Sequence, residues 1–558
     1  MKLIECVPNF SEGKNKEVID QIVMQITSVK GVKLLDVDPG KDTNRTVVTF
    51  AGHPDDVINA AYLAISKASQ LIDMKNHKGA HARMGATDVC PLIPISGVTE
   101  KECIEYSHKL AKKVGEKLKI PVFLYEKSAK TKNRQNLAII RQGEYEGMDE
   151  KIKLKEWTPD YGPNELNVKS GVTAIGVREF LIAYNINLNT SDKKIASDIA
   201  LDIREAGRAK RDKNGKILRD KNGIMIKVPG SLKNVKAVGW YLEEFNVAQV
   251  SMNLIDYKST SVHSVFEEVR KQAQKRGLRV TGSELVGLIP LDSLVDAGKF
   301  YLDKQNKNEG VSEKQLIHIA VKSMGLDEMY TFNANEKVID YMIDDSKKLI
   351  NETISDFADE LSSESPAPGG GSVSALAGSM SASLSSMVAN LSFGKKEFIN
   401  ERKKINKIGI NAQILKKDLL QLIDDDTKAF DMLMSAFRLP KKTEQDDKYR
   451  SKQILKMSKH VTDIPFKTLK KSVELMDLSN DAIELGNHNC ISDAGVAAEM
   501  AYSCAYGAYY NVKINLIDLK EEKKYYNKLK NESEKIISNL DKQINQIRNK
   551  VSKVLNNG

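Results

Sequence analysis

At 558 residues the chain is longer than one hydrophobic core supports, so several domains are expected. Apolar residues make up 41% and charged residues 29%, with 14 prolines, a composition that excludes wholesale disorder. The net charge of +10 suits an anionic partner, but no basic stripe with interleaved aromatics accompanies it, so a small anionic molecule is expected and nucleic acid is not.

In chain order, strands are predicted at Lys2–Val7, Val32–Val37, Arg45–Ala51, Asp88–Ile95 and Pro121–Tyr125, with helices near Lys14–Ile26, Pro54–Leu71 and Thr99–Lys117. The opening MKLIECVPNFSEG has too short an apolar run for a signal peptide, and five scattered cysteines without a CxxC pair argue against disulfides and structural zinc. A cytoplasmic location is expected. A second series follows: strand Phe180–Leu188, helix Ser191–Glu205, strands Val235–Tyr241 and Ala248–Leu254, helix Ser261–Arg276 and strand Arg279–Thr281. Both series read strand, helix, strand, strand, helix, strand, so two ferredoxin-like split βαβ subdomains are predicted, at 1–178 and 179–326. Within the second, Arg-Asp-Lys-Asn-Gly occurs at Arg211–Gly215 and again at Arg219–Gly223, which reads as an extended loop with Asn-Gly turns.

Residues 327–348 are expected to link to an all-α helical-bundle domain at 349–558. The most membrane-like stretch there, Ser372–Phe393, is interrupted by serines throughout, so a buried helix is expected and no membrane span. Near the C-terminus Ile537, Leu540, Ile544, Ile547, Val551 and Val554 recur three and four apart, an amphipathic helix in need of a partner within the chain or across an oligomer interface.

Two constellations carry chemistry. His77-Lys-Gly-Ala-His81-Ala-Arg83-Met-Gly85-Ala-Thr-Asp88 leads into a strand, where loops hold reactive groups on a rigid sheet. The histidines suit either a turn bonded to the backbone or general acid/base work; Gly79 and the lack of an intervening Glu speak against a zinc helix. Pro368-Gly369-Gly370-Gly371-Ser372 precedes a long helix, with a serine placed as its cap, and admits either a flexible linker or a backbone nest for an anion. The small residues Ala375, Gly378, Ser379, Ala382 and Ser386 then form a face for close helix packing. In Asp424-Asp425-Asp426-Thr-Lys-Ala-Phe430, helical spacing puts Asp426 on the face of Phe430 and Asp424 nearly opposite, so Asp426 faces protein if Phe430 is buried.

The first constellation, GAHARMGATDVCPLIP, resembles the active-site loop of glutamate formimidoyltransferases, whose pattern is close to GEHPRMGALDVCPFIP; Ala80 and Ala82 depart from it. The resemblance extends through LLDVDPGKDTNRT, with Asp38, Asn44 and Arg45, through Tyr161-Gly162-Pro163, Gly171 and Arg178, to VGLIPLDSL at Val286. It implies His81 as catalytic acid/base with Asp38 as its orienting carboxylate. It also implies Asn44, Arg45, Arg83, Gly162, Pro163, Gly171 and Arg178 as substrate or folate contacts. The second half resembles formimidoyltetrahydrofolate cyclodeaminases, helical proteins with methenyltetrahydrofolate cyclohydrolase relatives, at Gly369–Ser372, Phe393–Lys396, Asp424–Phe430, Arg438–Lys441 and Asn489–Tyr502. That likeness implies Asp426, with Asp424 as substitute, as the second catalytic acid, and Pro368, Gly369, Gly370, Gly371 and Ser372 as the folate pocket.

The order is that of the fused formimidoyltransferase-cyclodeaminases of histidine degradation. The resemblance implies two activities, with polyglutamylated tetrahydrofolate as co-substrate, formimidoyl-glutamate as the other substrate, no metal, and a homo-oligomer. A chain in which one half only binds folate polyglutamate, a scaffold without catalysis, and a formyl donor are the alternatives.

Overall fold

The computed structural model describes residues 2–41, 43–79, 81–343 and 349–557. It divides into two compact units, Met1–Leu294 with Met324–Asp345, and Val295–Ser323 with Ser346–Gly558.

The first unit begins with β1 (Leu3–Cys6), β2 (Asn9–Phe10), α1 (Lys16–Thr27), β3 (Val32–Gly40), β4 (Arg45–Gly52), α2 (Pro54–Leu71), β5 (Thr87–Ser96), α3 (Glu100–Leu118) and β6 (Val122–Glu126). After α4 (Leu137–Ile140) and α5 (Glu144–Ile152) comes β7 (Thr173–Val177). Strand β3 pairs with β4, β4 with β1 and β1 with β5, all antiparallel, which is the ferredoxin-like order. Parallel β7 and β6 extend it, and β2 lies between β4 and β5. Local signals set the helix starts: the Asn15 side chain accepts the Glu17 and Val18 N–H groups, Pro54 opens α2, and Thr99 with Glu102 forms a capping box. Alternation along the strands sends Ile4, Cys6, Val48, Phe50 and Leu92 into the core beneath α1, α2 and α3. It sends Glu5, Arg45, Val47 and Thr49 to the opposite face, and the register of β3 on β4 places Asp36 and Asp38 there too. Part of that face is covered by Ile140, Met148 and Ile152 of α4 and α5, packed on Val89, Phe123, Tyr125 and Ala174.

The second series gives β8 (Ile182–Leu188), α6 (Lys193–Ile203), a ribbon of β9 (Arg208–Ala209) and β10 (Lys227–Val228), β11 (Val235–Leu242), β12 (Val247–Leu254), α7 (Val262–Lys275) and β13 (Val280–Val286). Its sheet order β11-β12-β8-β13 is ferredoxin-like again, so the expected pair of split βαβ folds is present. In the ribbon, Asp212 and Asp220 each accept two backbone N–H groups across their Asn-Gly turns, as the repeat implied.

The remaining helices are α8 (Leu291–Lys304), α9 (Glu313–Met324), α10 (Ala334–Lys337), α11 (Ile339–Ile343), α12 (Ile354–Leu361), α13 (Gly370–Phe393), α14 (Arg402–Phe437), α15 (Glu444–Leu485), α16 (Ile491–Leu516) and α17 (Lys523–Asn557). The unit boundaries depart from the expected ones. Val295–Ser323 clusters with the helical unit because Gly310 lies against Gly409 of α14, where a Cβ on Gly310 would meet backbone at 2.2 Å. The expected linker is packed rather than free: Val338 and Ile339 are buried, and Ile289 bonds the backbone of Lys337 and Ile339, although 344–348 lie outside the described residues. In the helical unit α13 is the inner helix, and Ala375, Gly378, Ser379, Ala382 and Ser386 are all buried as expected. Helix α17 buries Ile537, Leu540, Ile544 and Ile547 in the same core as α15 and α16, so its partner lies within the chain. Among the described residues no helix is long and apolar enough to cross a membrane.

Candidate active sites

In the first unit the turn before β4 and the loop before β5 are stapled together. Asn44 accepts the Gly13 N–H at 3.0 Å, donates to the Lys78 carbonyl at 2.8 Å, and offers its own carbonyl to His77 Nε2 at 2.9 Å. A side chain on Gly79 would strike the Thr43 carbonyl at 2.2 Å, and one on Gly171 the Met84 carbonyl at 2.3 Å, so both glycines are demanded by close backbone approach. Asn44 and Gly171, expected as substrate contacts, therefore build the loop that presents His81. Ala80 lies outside the described residues.

His81 sits half-buried with Nε2 2.5 Å from Arg45 Nη1. Guanidinium has only donors, so Nε2 is the acceptor and the imidazole is neutral, with its proton on Nδ1. Burial and the charges of Arg45 and Arg141 hold its pKa below the usual histidine value, against the pull of Asp88. Arg141 pairs with Asp88, which is fully buried and also accepts the Met84 N–H at 3.1 Å. Asp38, expected beside the imidazole, is exposed on β3 and makes no hydrogen bond to His81; its influence reaches Arg45 as a charge. The carboxylate that balances the centre is Asp88, and the cation that completes it is Arg141, which the sequence reading did not single out.

Arg83 does not fit the expected role of substrate clamp. It is buried, with its donors on His77 Nδ1 and the His77 carbonyl, on Glu144 at 2.8 Å and on Glu146 at 2.6 and 2.8 Å. All five guanidinium N–H groups are thereby matched internally. It lines a shallow cleft of about 540 Å³ with Lys78, Gly79, Gly143, Glu144 and Glu146. Gly162 abuts Gly115 of α3 and the Ile120 carbonyl, a packing role with positive φ, next to half-buried Pro163. Arg178 gives one N–H to the Glu179 carbonyl and faces Glu5, whose burial on the sheet raises its pKa to about 7.

In the helical unit Gly369 is the cap of α13 and Ser372 lies in its first turn, so the cap is a glycine rather than the expected serine. What meets the helix end instead is Asp426 of α14. Its Oδ2 is 3.2 Å from Ser372 Oγ, and a Cβ on Gly371 would lie 2.2 Å from its Oδ1. Burial raises its pKa above the usual carboxylate value, opposed by the Ser372 hydroxyl and backbone N–H. Gly370 approaches Asn511 of α16, and Pro368 is buried. Phe430 is only half-buried, so the condition on which Asp426 was expected to face protein is not met in full, and Asp424 is the more buried of the two acids. Its Oδ1 accepts the Leu349 N–H at 2.8 Å, so it ties down the chain near the start of the unit's second segment. Among the described residues no group of three or more His, Cys, Asp or Glu side chains is placed to hold a metal.

Two clusters of titratable side chains of different build, around His81 and around Asp426, thus lie each in its own unit. Family models agree with that division: the formiminotransferase domain, N-terminal subdomain, matches residues 3–178, the formiminotransferase domain 183–344, and formiminotransferase-cyclodeaminase 353–535. The mouse formimidoyltransferase-cyclodeaminase is 42% identical over 93% of this chain and 94% of its own length. A glutamate formimidoyltransferase of Streptococcus pyogenes is 41% identical over 55% of this chain and 95% of its own. A methenyltetrahydrofolate cyclohydrolase of Methylorubrum extorquens is 40% identical over 30% of this chain and 79% of its own. The chain belongs to the formimidoyltransferase-cyclodeaminase family.

Proposed function

We propose that the chain moves the formimidoyl group of N-formimidoyl-L-glutamate to tetrahydrofolate in its α+β unit, and in its helical unit closes 5-formimidoyltetrahydrofolate to 5,10-methenyltetrahydrofolate with release of ammonia, two steps of histidine degradation. The observation that carries this reading is His81, kept neutral by burial and by Arg45 and Arg141 within the loop that matches the transferases. A neutral imidazole accepts the proton of the tetrahydrofolate nitrogen as it attacks the formimidoyl carbon, then returns it to the departing glutamate nitrogen. Because Arg45 donates to Nε2, a carboxylate that takes Arg45 as partner also frees that nitrogen to act as base.

In the second step N10 attacks the same carbon, and Asp426 carries its proton to the nitrogen that leaves as ammonia. The Ser372 hydroxyl and backbone N–H at the start of α13 hold the Asp426 carboxylate in place, whereas Asp424 is taken up by the Leu349 N–H, which supports Asp426 over Asp424 for this work. Both steps rest on proton transfer and positioning, without a metal.

Finer features have their own supports. The ten-charge basic excess favours a polyglutamylated folate. Five buried free thiols favour a cytoplasmic location. Exposed Val373, Met380 and Met387, spaced seven apart on α13, favour a homo-oligomer. The test is to mix the purified chain with tetrahydrofolate and formimidoyl-glutamate and follow glutamate, ammonia and methenyl absorbance together. Glutamate without ammonia would reduce the chain to a transferase with a folate-binding second half.

A further inference from the structure

In the α+β unit the Arg141 guanidinium holds a buried Nε–H with no hydrogen-bond partner among the described residues. We infer that Arg141 receives a carboxylate of the donor glutamate and that Lys151 is the positioning residue that aims it, an inference that rests on the transferase reading above.

Arg141 follows Ile140, which is fully buried, at the end of a helix of four residues. Its side chain is 16% exposed; one terminal nitrogen is on Asp88, and Nε is buried with no hydrogen-bond partner among the described residues. A buried N–H without a partner is costly unless something completes it, and a guanidinium edge matches a carboxylate with two parallel bonds. Of the other arginines expected at the site, Arg83 spends all five donors internally, whereas Arg45 gives one bond to His81 and Arg178 one to the Glu179 carbonyl, and neither of these two has a buried unpartnered N–H among the described residues. Arg141 lies close enough to His81 and Arg45 to lower the pKa of both, so a carboxylate bound there sits beside the base.

Four residues are too few to hold a helix by themselves. Lys151 supplies what the end of α4 lacks: Nζ donates to the carbonyls of Ile139 at 2.7 Å, Ile140 at 2.8 Å and Gln142 at 3.0 Å, which bracket Arg141. The Trp157 ring lies 4.0 Å from the ammonium, Glu156 on the same 3-10 turn is the charge facing it, and α4 presents only carbonyls. Burial outweighs Glu156 and lowers the Lys151 pKa to about 8. Above that pH three carbonyls share two hydrogens, and the hold on Arg141 loosens.

The experiment measures KM for formimidoyl-glutamate and kcat from pH 7 to 9.5 in the full-length wild type, Lys151→Arg, Lys151→Met and Arg141→Met, with thermal unfolding and KM for tetrahydrofolate as the checks that the α+β unit is folded. Donor KM in the wild type should rise as pH passes about 8, and Lys151→Arg, which does not titrate there, should abolish the rise. At pH 7 Lys151→Met should raise donor KM about tenfold and Arg141→Met on the order of 10- to 100-fold, the worth of a charged hydrogen bond, with KM for tetrahydrofolate unmoved. An alkaline rise that persists in Lys151→Arg, or an unchanged donor KM in Arg141→Met, would overturn the inference. A wild type that transfers nothing would instead overturn the transferase reading beneath it.

Discussion

Substituting Gly371→Ala tests the helical site with a single carbon atom. The new Cβ would lie 2.2 Å from Asp426 Oδ1 and 2.5 Å from its Cγ, where ordinary contact begins near 3.4 Å. The carboxyl must therefore recede by about 1 Å, a displacement from catalytic geometry that costs on the order of 10²-fold in rate. Overpacking of this kind costs about 1–3 kcal/mol of stability, so the unit should remain folded. The assay is ammonia release from supplied 5-formimidoyltetrahydrofolate, run beside glutamate release in the transfer step. Ammonia release should fall about 10²-fold while transfer is unchanged. Ammonia release at the wild-type rate would refute the placement of chemistry at Asp426.

His81→Ala should lower transfer by about 10² to 10⁴-fold, the usual worth of an acid/base group, and leave ammonia release intact, as read by the same paired assays. The depressed pKa of His81 means that its neutral form persists to lower pH. Transfer should therefore lose rate only below the ordinary histidine value of 6.5, and Arg45→Met should move that midpoint upward in a pH profile of kcat/KM. Asp424→Asn weakens the anchor of the Leu349 N–H. It should cost about 1–3 kcal/mol in denaturant unfolding while ammonia turnover per folded molecule stays within a few-fold of wild type. Arg83→Met strands Glu144, Glu146 and the His77 ring, so thermal unfolding should show a destabilised chain whose residual donor KM is near normal.

Amphipathic period and turn chemistry made the two ferredoxin-like folds and the helical half legible, because each strand and helix carries its own pattern of burial. His81 drew notice through the loop around it, and Asp426 through its motif within α14. Arg141 was not: IIRQGEYEG announces no chemistry, and the residue matters only because the fold lays it on Asp88, 53 positions away. Arg83 misled for the opposite reason, since Glu144 and Glu146, which consume it, lie 61 and 63 positions away. A helical wheel separates Asp424 from Asp426, but α14 packs on more than one side, so Asp424 is buried and Asp426 half-buried, and the Leu349 N–H that claims Asp424 comes from a distant segment. The boundary near residue 295 reflects contacts made far along the chain, Gly310 against Gly409, Glu309 with Asn406 and Glu313 with Lys417, which no local pattern signals.

The central claim is that two independent acid–base centres on this chain act in succession, and complementation tests it most directly. His81→Ala and Asp426→Asn would each be given tetrahydrofolate and formimidoyl-glutamate, alone and mixed, with glutamate, ammonia and methenyl absorbance recorded together. Asp426→Asn should release glutamate without ammonia, His81→Ala should release neither yet convert supplied 5-formimidoyltetrahydrofolate, and the mixture should yield methenyl product. Loss of both steps in either variant, with the chain folded, would contradict the claim.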